Sequence, residues 1–457
     1  MADRFTPQQR RVVAVAVLAS FVSFLDGTIV NVVLPAIDRE LGGGLAAQQW
    51  VVDAYLITLG ALILVAGSVS DAFGRIRVLR WGLIGFGVAS VAVALAPTAI
   101  LLIAARTVQG AAAAFLVPSS LALITATMRD AVQARAIGVW TALTTSAMVA
   151  GPLIGGLFVD HLSWRFAFLI NVLPVVITLL LLPRLDLRDR HEPGTRIDWL
   201  GAALCTLGLG LVVLALIEQP GLGWDSPVVW GGLAGGVVLL AGFVWRQRLA
   251  ASPILPLSLL RIRNFSAGNI AALFVYAALS LNGFVVAIYL QQGAGLSATL
   301  AGLASLPTTI LMILLSSRFG TLAGRHGPRL FMTAGPLLMA GGSLLLLLVA
   351  TDFDYWWQVL PGMLVFGLGL SMTVAPLTSA VLGSVDPARS GIASAVNNAV
   401  ARVAGLIAVA VIGAAVGTLD LGGFHGAAVL TAALLAAGGI ASFLGIRNPR
   451  PAASPAE

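Results

Sequence analysis

The sequence predicts an all-α polytopic membrane protein with fourteen transmembrane helices. Three observations carry that expectation. Of 457 residues, 59% are hydrophobic and only 10% are charged, against about 25% charged in a soluble domain. Apolar runs of roughly 17–25 residues recur along the chain, separated by short breaks rich in Gly, Pro, Arg and Asp. The arginines gather in every second break.

The runs are 12–37, 48–70, 77–96, 98–126, 135–159, 166–183, 198–218, 228–245, 266–291, 298–317, 330–350, 356–382, 390–417 and 424–446. No break is long enough for a soluble domain, and 184–198 reads as a short solvated linker. Arg10-Arg11 before the first run imitates a signal peptide, but the run is too long and lacks a clear small-residue cleavage site. With a cytoplasmic N-terminus, 22 of the 26 arginines fall in inside segments. Only Arg39 and Arg165 lie outside, and Arg106 and Arg402 lie within spans. One missed or extra helix would invert every later break. The bias therefore predicts an even number of spans in the cytoplasmic membrane, with both termini cytoplasmic.

Composition also excludes chemistry. All 26 basic residues are arginine, so there is no Walker A lysine and no Schiff base, and no ATPase subunit is implied. The net charge of +7 is scattered singly and does not point to nucleic acid. Cys205 is the lone cysteine, so no internal disulfide forms. His161, His191, His326 and His425 lack metal-ligand spacing. Asp352-Phe-Asp354 resembles a metal-binding pair but stands without further ligands, and Gly208-x-Gly210 lies inside a span, where no dinucleotide loop forms. No cofactor and no metal are expected.

An internal repeat organises the chain. Gly67-Ser-Val-Ser-Asp-Ala-Phe-Gly74 aligns with Gly320-Thr-Leu-Ala-Gly-Arg-His-Gly327 at an offset of 253. Arg135 aligns with Arg389, and Val149-Ala150-Gly151 with Val403-Ala404-Gly405, at 254. The first six helices thus repeat in the same orientation as the last six. The expected organisation is a six-helix bundle over 12–183, a linker with two inserted helices over 184–265, and a second six-helix bundle over 266–446. A parallel repeat of this kind places a substrate site between the halves near the midplane.

Five motifs then resemble the major facilitator superfamily, and within it the fourteen-span drug:proton antiporter family. Leu25-Asp26-Gly-Thr-Ile-Val-Asn31-Val-Val-Leu-Pro35 is similar to that family's first-helix signature. Gly67-x-x-x-Asp71-x-x-Gly74-Arg75-x-Arg77 resembles the superfamily loop motif. Arg106-Thr-Val-Gln109-Gly110 resembles the fourth-helix motif linked to proton relay, and Gly151-Pro152-Leu-Ile-Gly155-Gly156 the fifth-helix motif typical of antiporters. Trp164-Arg165-x-x-Phe168-x-x-Asn171 fits the start of the sixth helix. Two departures stand out. The C-terminal spans carry no carboxylate, where some relatives have one. Gly324 stands where the first loop motif has Asp71.

The residues carry their own chemistry. Asp26 sits mid-span, where an acid is expensive and faces a cavity or a partner. Desolvation and a nearby arginine act on such a group in opposite senses, so it can load and release a proton; a packing hydrogen bond is the plainer reading. Asp53 lies about 9 Å below the outer end of the second span. The resemblance implies a role there with multiply charged cations, while the plainer reading is a hydrated vestibule residue. Arg106 and Gln109 share a face roughly 12 Å deep, near the level of both acids, and a buried guanidinium needs a partner such as Asp26. Ala147, Gly151 and Gly155 form a small-residue stripe, with Pro152 favouring a kink, so the segment with Gly156 is either a gating hinge or tight packing. Asp71, Gly74, Arg75 and Arg77 form a turn in which Asp71 can latch onto Arg75 or Arg135. Arg402 has Asn398 one turn before it, with no acid in its own half; it pairs across the halves, meets an anionic substrate group, or contacts carbonyls. Tyr276, Asn282 and Tyr289 either line the same cavity or pack.

The reading that follows is proton-coupled antiport by alternating access in the lipid bilayer, exporting small lipophilic, by expectation cationic, drugs across the cytoplasmic membrane. Export of a neutral or anionic metabolite such as a natural product, with Arg402 on the substrate, is the alternative. A membrane enzyme using Asp352 and Asp354 is disfavoured by the lack of a nucleophile–base pair or metal cluster.

Overall fold

The computed structural model describes residues 5–185, 197–386 and 389–448, without the side chains of 130, 131 and 134. Most of the 184–198 linker, with Arg188, Arg190 and Arg196, lies outside the described residues, as do Arg4 and Arg450. Fourteen helices are long and apolar enough to cross a membrane. They are α1 (Pro7–Leu41), α2 (Gly44–Phe73), α3 (Arg75–Ala94), α4 (Ala99–Thr127), α5 (Asp130–His161), α6 (Phe166–Arg184) and α7 (Trp199–Leu222). After them come α8 (Pro227–Leu249), α9 (Arg263–Gln292), α10 (Ala298–His326), α11 (Pro328–Leu348), α12 (Tyr355–Leu382), α13 (Ser390–Val416) and α14 (Leu421–Gly445). The described residues contain no strand.

Each helix lies on one of the apolar runs. The largest difference is α10, which continues to His326. Ser316, Ser317 and Arg318 end the apolar pattern there, but polar residues do not stop a helix. The helix stops at Gly327, whose φ of 88° needs a residue without a Cβ. Gly74 ends α2 the same way, with φ 95°, so the aligned glycines of the repeat share one conformation. Side chains cap other starts: Thr6 and Gln9 form a capping box on α1, and Asp38 accepts the Gly44 amide at 2.7 Å.

Between apolar helices, close approach replaces hydrophobic selectivity. Gly110 of α4 lies where any Cβ would strike the carbonyl of Tyr55 on α2. Thr58 donates to the Thr107 carbonyl at 2.8 Å across the same joint. Gly151 and Gly155 of α5 rest on Thr28 and Ile29 of α1 in the same manner. The second half repeats both joints. Gly367 of α12 meets Thr308 of α10, with Thr308 donating to the Met363 carbonyl at 3.0 Å, and Gly405 of α13 meets Ser280 of α9.

The chain forms two compact units. The first holds Met1–Leu255 with Ser280–Leu303 and Gly405–Phe424, so it contains α1–α8 and segments of α9, α10, α13 and α14. The second holds Pro256–Leu279, Ala304–Ala404 and His425–Glu457. Its interior is built on Met339, Phe366, Leu370 and Leu435 in one cluster and Ala271, Met332 and Leu377 in another. Ser343 on α11 donates to the Ala428 carbonyl of α14 at 2.9 Å.

Replacing Gly110 with valine is expected to destabilise the detergent-solubilised protein by about 1–3 kcal/mol, because the atom in the way is backbone. Gly27→Ala, where a Cβ meets nothing within 4 Å, is expected to leave the thermal midpoint unchanged. Equal midpoints for the two variants would contradict the assignment.

Candidate functional site

Asp26 of α1 is fully buried, and both its oxygens are taken. Its Oδ2 accepts from Arg106 Nη1 of α4 at 2.6 Å. Its Oδ1 accepts from Gln109 Nε2 and from Asn171 Nδ2 of α6, each at 3.1 Å. Arg106, 1% exposed, also donates from Nη1 to Gln109 Oε1 at 2.7 Å and from Nε to the Val51 carbonyl of α2 at 3.0 Å. Its guanidinium lies 4.3 Å from the Tyr55 ring centroid and 5.6 Å from that of Phe168. Gln109 also donates to Ser90 of α3 at 2.9 Å. Five helices thus meet at one ion pair. The attraction in such surroundings offsets desolvation only with good geometry and further hydrogen bonds, which here reach both Asp26 oxygens and the Nε and Nη1 of Arg106.

Asp53 of α2 is the opposite case. It is 0% exposed, and neither carboxyl oxygen has a hydrogen-bond partner. Gln49, Asp53 and Leu56 share a face at spacings of four and three. Gln49 donates to the carbonyls of Val409 and Ala410 on α13 at 2.6 and 3.1 Å, and Leu56 reaches Gly405 of the same helix. Asp53 therefore sits in the strip of α2 that packs against α13. The inserted α7 braces this joint: Trp50 Nε1 donates to Glu218 at 2.9 Å, and Pro220 abuts Gly413.

The glycine–proline segment of α5 divides its work. Gly151 and Gly155 face α1, while Gly156 lies against the backbone of Ala298 and Thr299 at the start of α10. Gly302 of α10 fits beneath the Pro152 carbonyl. Asp160, one turn on, accepts the Ala298 and Thr299 amides at 3.1 and 2.8 Å. Gln291 of α9 donates to the Val32 carbonyl of α1 at 3.0 Å. These joints all lie in the first unit, at the helix ends next to the arginine-poor breaks. Beside them, Glu40 accepts from Arg165 at 2.6 Å and Trp164 at 2.7 Å.

On the arginine-rich side, Asp71 meets Arg75 at 3.3 Å, both part exposed, and Arg135 lies over the Phe5 ring at 5.1 Å. An exposed pair of this kind contributes about 0–1 kcal/mol. Arg77 belongs to the same α2–α3 turn region, in the first turn of α3. In the second unit, Asn398 donates to the Ser394 carbonyl at 3.0 Å, and Arg402 is half-buried. Tyr289 stacks on Phe424 at 4.1 Å, a packing role. Asp354 caps the start of α12 through the Trp356 amide at 2.8 Å.

The sequence-predicted residues Asp26, Arg106 and Gln109 come together. Asp53 stands apart from them, against α13. Sequence reasoning missed Ser90, Tyr55, Gln49, Asp160, Glu218 and Gln291. Four of these are uncharged, and polar uncharged residues in apolar runs are too common to single out.

A helical membrane protein packed through glycine, with a sealed acid–guanidinium pair in one half of a parallel repeat, has the architecture of a secondary transporter. The chain belongs to the Major Facilitator Superfamily, whose model matches residues 16–409. It is 33% identical to a methylenomycin A resistance protein of Bacillus subtilis, covering 88% of this chain and 86% of that one. It is 34% identical to the multidrug resistance protein Stp of Mycobacterium tuberculosis, over 87% and 74% of the two chains. With a tetracenomycin C resistance and export protein of Streptomyces glaucescens it shares 33% identity over 88% and 74%. Among solved structures, a D-xylose–proton symporter superposes with a TM-score of 0.70 over 96% of this chain and 98% of that one, at 14% identity. The protein is a multi-pass membrane transporter, and not an enzyme on Asp352 and Asp354.

Removing one member of the buried pair leaves the other charge uncompensated. Arg106→Gln and Asp26→Asn are each expected to cost about 3–5 kcal/mol, whereas the double change to Asp26→Leu with Arg106→Met should cost less than either. Thermal unfolding in detergent measures this; a double variant as unstable as the sum of the singles would mean the two groups do not act as a pair.

Proposed function

We propose that this transporter is a proton-coupled exporter of the fourteen-span drug:proton antiporter type. It moves small lipophilic cations out across the cytoplasmic membrane by alternating access. The two six-helix bundles, 12–183 and 266–446, are the moving parts, with the arginine-poor side outward and both termini in the cytoplasm. The resistance proteins among its relatives support export.

The observation that carries the coupling is Asp53. A carboxylate without any partner is strongly disfavoured in a dry joint, whereas the neutral acid is tolerated. The α2–α13 joint around it therefore closes only when Asp53 is neutralised. A proton taken up from outside does this on the inward stroke, and a substrate cation on the outward stroke. A bare carboxylate does neither, which prevents an uncoupled leak. Asp26 is held as the partner of Arg106, so its part is to keep that arginine from Asp53 and to set the polarity of the bundle. The turn of Asp71, Gly74, Arg75 and Arg77 and the segment from Gly151 to Gly156 serve as conformational elements on the two sides.

Exchange of one proton for one monocation moves no net charge, so it runs on the pH gradient alone. A dication exchanged for one proton moves charge outward, against about 2.3 kcal/mol per 100 mV. In inside-out vesicles, Asp53→Asn is expected to abolish pH-driven efflux of ethidium, a monocation, by at least tenfold, and to weaken binding of a dication more than that of ethidium. Undiminished pH-driven efflux in Asp53→Asn would remove the acid from the coupling, and equal loss of binding for the two classes would remove it from cation recognition.

Asp160 supplies a separate check. Asp160→Asn weakens the acceptor for the α10 amides, so the Val409–Gln49 end of the protein is expected to open more often. A cysteine placed at Thr299 in a Cys205→Ser background should react several-fold faster with a membrane-impermeant maleimide from outside. An unchanged rate would mean the cap does not hold the gate.

A further inference from the structure

The unused charge of the second unit is Arg402. It lies about 18 Å from the start of α13 and roughly 21 Å from its end, at 1.5 Å per residue. That is too deep for its side chain to reach either membrane surface. A guanidinium does not deprotonate and has five donors to satisfy. Arg106 donates to Asp26, Gln109 and the Val51 carbonyl within the protein. Arg402 makes no hydrogen bond or ion pair with any described residue; it lies within electrostatic range of Tyr276 of α9. The spans of its own half contain no acid.

Arg402 does not face lipid. The exposed apolar residues of α13 are Ile392 and Ile407. Arg402 shares its face instead with Asn398, Gly405 and Val409, at spacings of four, three and seven. The Gly405 and Val409 portion of that face is packed against α2, and the Asn398 and Arg402 portion is half-buried. Asn397 next door donates to Asn269 of α9 at 3.1 Å, buried, and so fixes the rotation of α13. The repeat sharpens the point: at the offset of 254, Arg402 corresponds to Met148. The chain departs from its own symmetry to put a charge here.

We propose that Arg402, with Asn398 and Tyr276 beside it, is a subsite that binds a carboxylate group of the transported molecule. The planar fork donates to two carboxylate oxygens at once, and the Asn398 amide and Tyr276 hydroxyl lie on the adjacent face and helix. The substrate range then extends to lipophilic acids and zwitterions, beyond cations. This rests on reading the protein as an exporter, so the test is equilibrium binding, which needs no proton gradient.

The full chain, purified in lipid nanodiscs, is titrated with 9-anthroate and with its methyl ester, and binding is read from probe fluorescence. Wild type is expected to bind the acid at least tenfold more tightly than the ester. Arg402→Gln should abolish that preference while leaving ester affinity unchanged, and Arg402→Lys, which keeps charge but not the fork, should retain only part of it. Tyr276→Phe should reduce it a few-fold. Wild type without a preference, or Arg402→Gln with the preference intact, overturns the subsite. Should Arg402→Gln fail to fold, an undiminished preference in Arg402→Lys and Tyr276→Phe together overturns it. Ethidium binding in the same samples reports on cation export separately: its loss in wild type would overturn that reading without touching this one.

Discussion

A guanidinium and a carboxylate 2.6 Å apart, closed off from water, fix the interior of the first unit. Arg106 ties α4 to α1 through Asp26 and to α2 through the Val51 carbonyl, while Gln109 and Asn171 bring in α3 and α6. Everything near the pair is arranged to satisfy it. Gly110 lets α2 approach α4 closely enough for Tyr55 to cover the guanidinium. Apolar helices in lipid have little else to specify which neighbour they choose, so one costly pair with several hydrogen bonds around it serves as the register mark of the bundle. The second half repeats the glycine joints without the ion pair: Met363 occupies the carbonyl-sharing position that Thr107 occupies in the first.

That asymmetry separates two jobs. The first half holds a resolved charge pair and an unresolved acid, and the second holds an unresolved arginine. Asp53 and Arg402 are each costly to bury alone, and neither is compensated by its own surroundings. Groups in that condition cluster at functional sites, where something arrives to complete them.

Much of this was legible in the sequence because charges in apolar runs are rare. The fourteen helices followed from the runs, and the burial of Arg106 called for an acid partner, with Asp26 the candidate. What depth could not tell was which acid the arginine would take. Asp26 and Asp53 lie at similar levels, and only the packing of α2 on α13 leaves Asp53 alone. Ser90 escaped notice, and Asn171 was named only within the sixth-helix motif and without a partner, because a neutral amide or hydroxyl in a span looks the same whether it pairs with a neighbour or with its own helix. Asp160 escaped for a different reason. An acid at the end of a span resembles any hydrated loop residue until the helix whose start it caps is in place. The fifth-helix segment was read as either hinge or packing, and the structure assigns packing contacts to all four of its residues: two against α1 and two against α10.

Apart from the Asp160 carboxylate, the joint between α5 and α10 is made of main chain. Gly156 and Gly302 contribute no side chains, Pro152 offers a carbonyl, and Ala298 and Thr299 offer amides. A barrier of that composition has no chemical preference, because every residue type brings the same backbone. Replacements elsewhere can therefore alter what the protein carries without loosening the barrier, and sequences that diverge in cargo can inherit it intact. The converse also holds: a side chain added at 156 or 302 is a defect for all cargo alike.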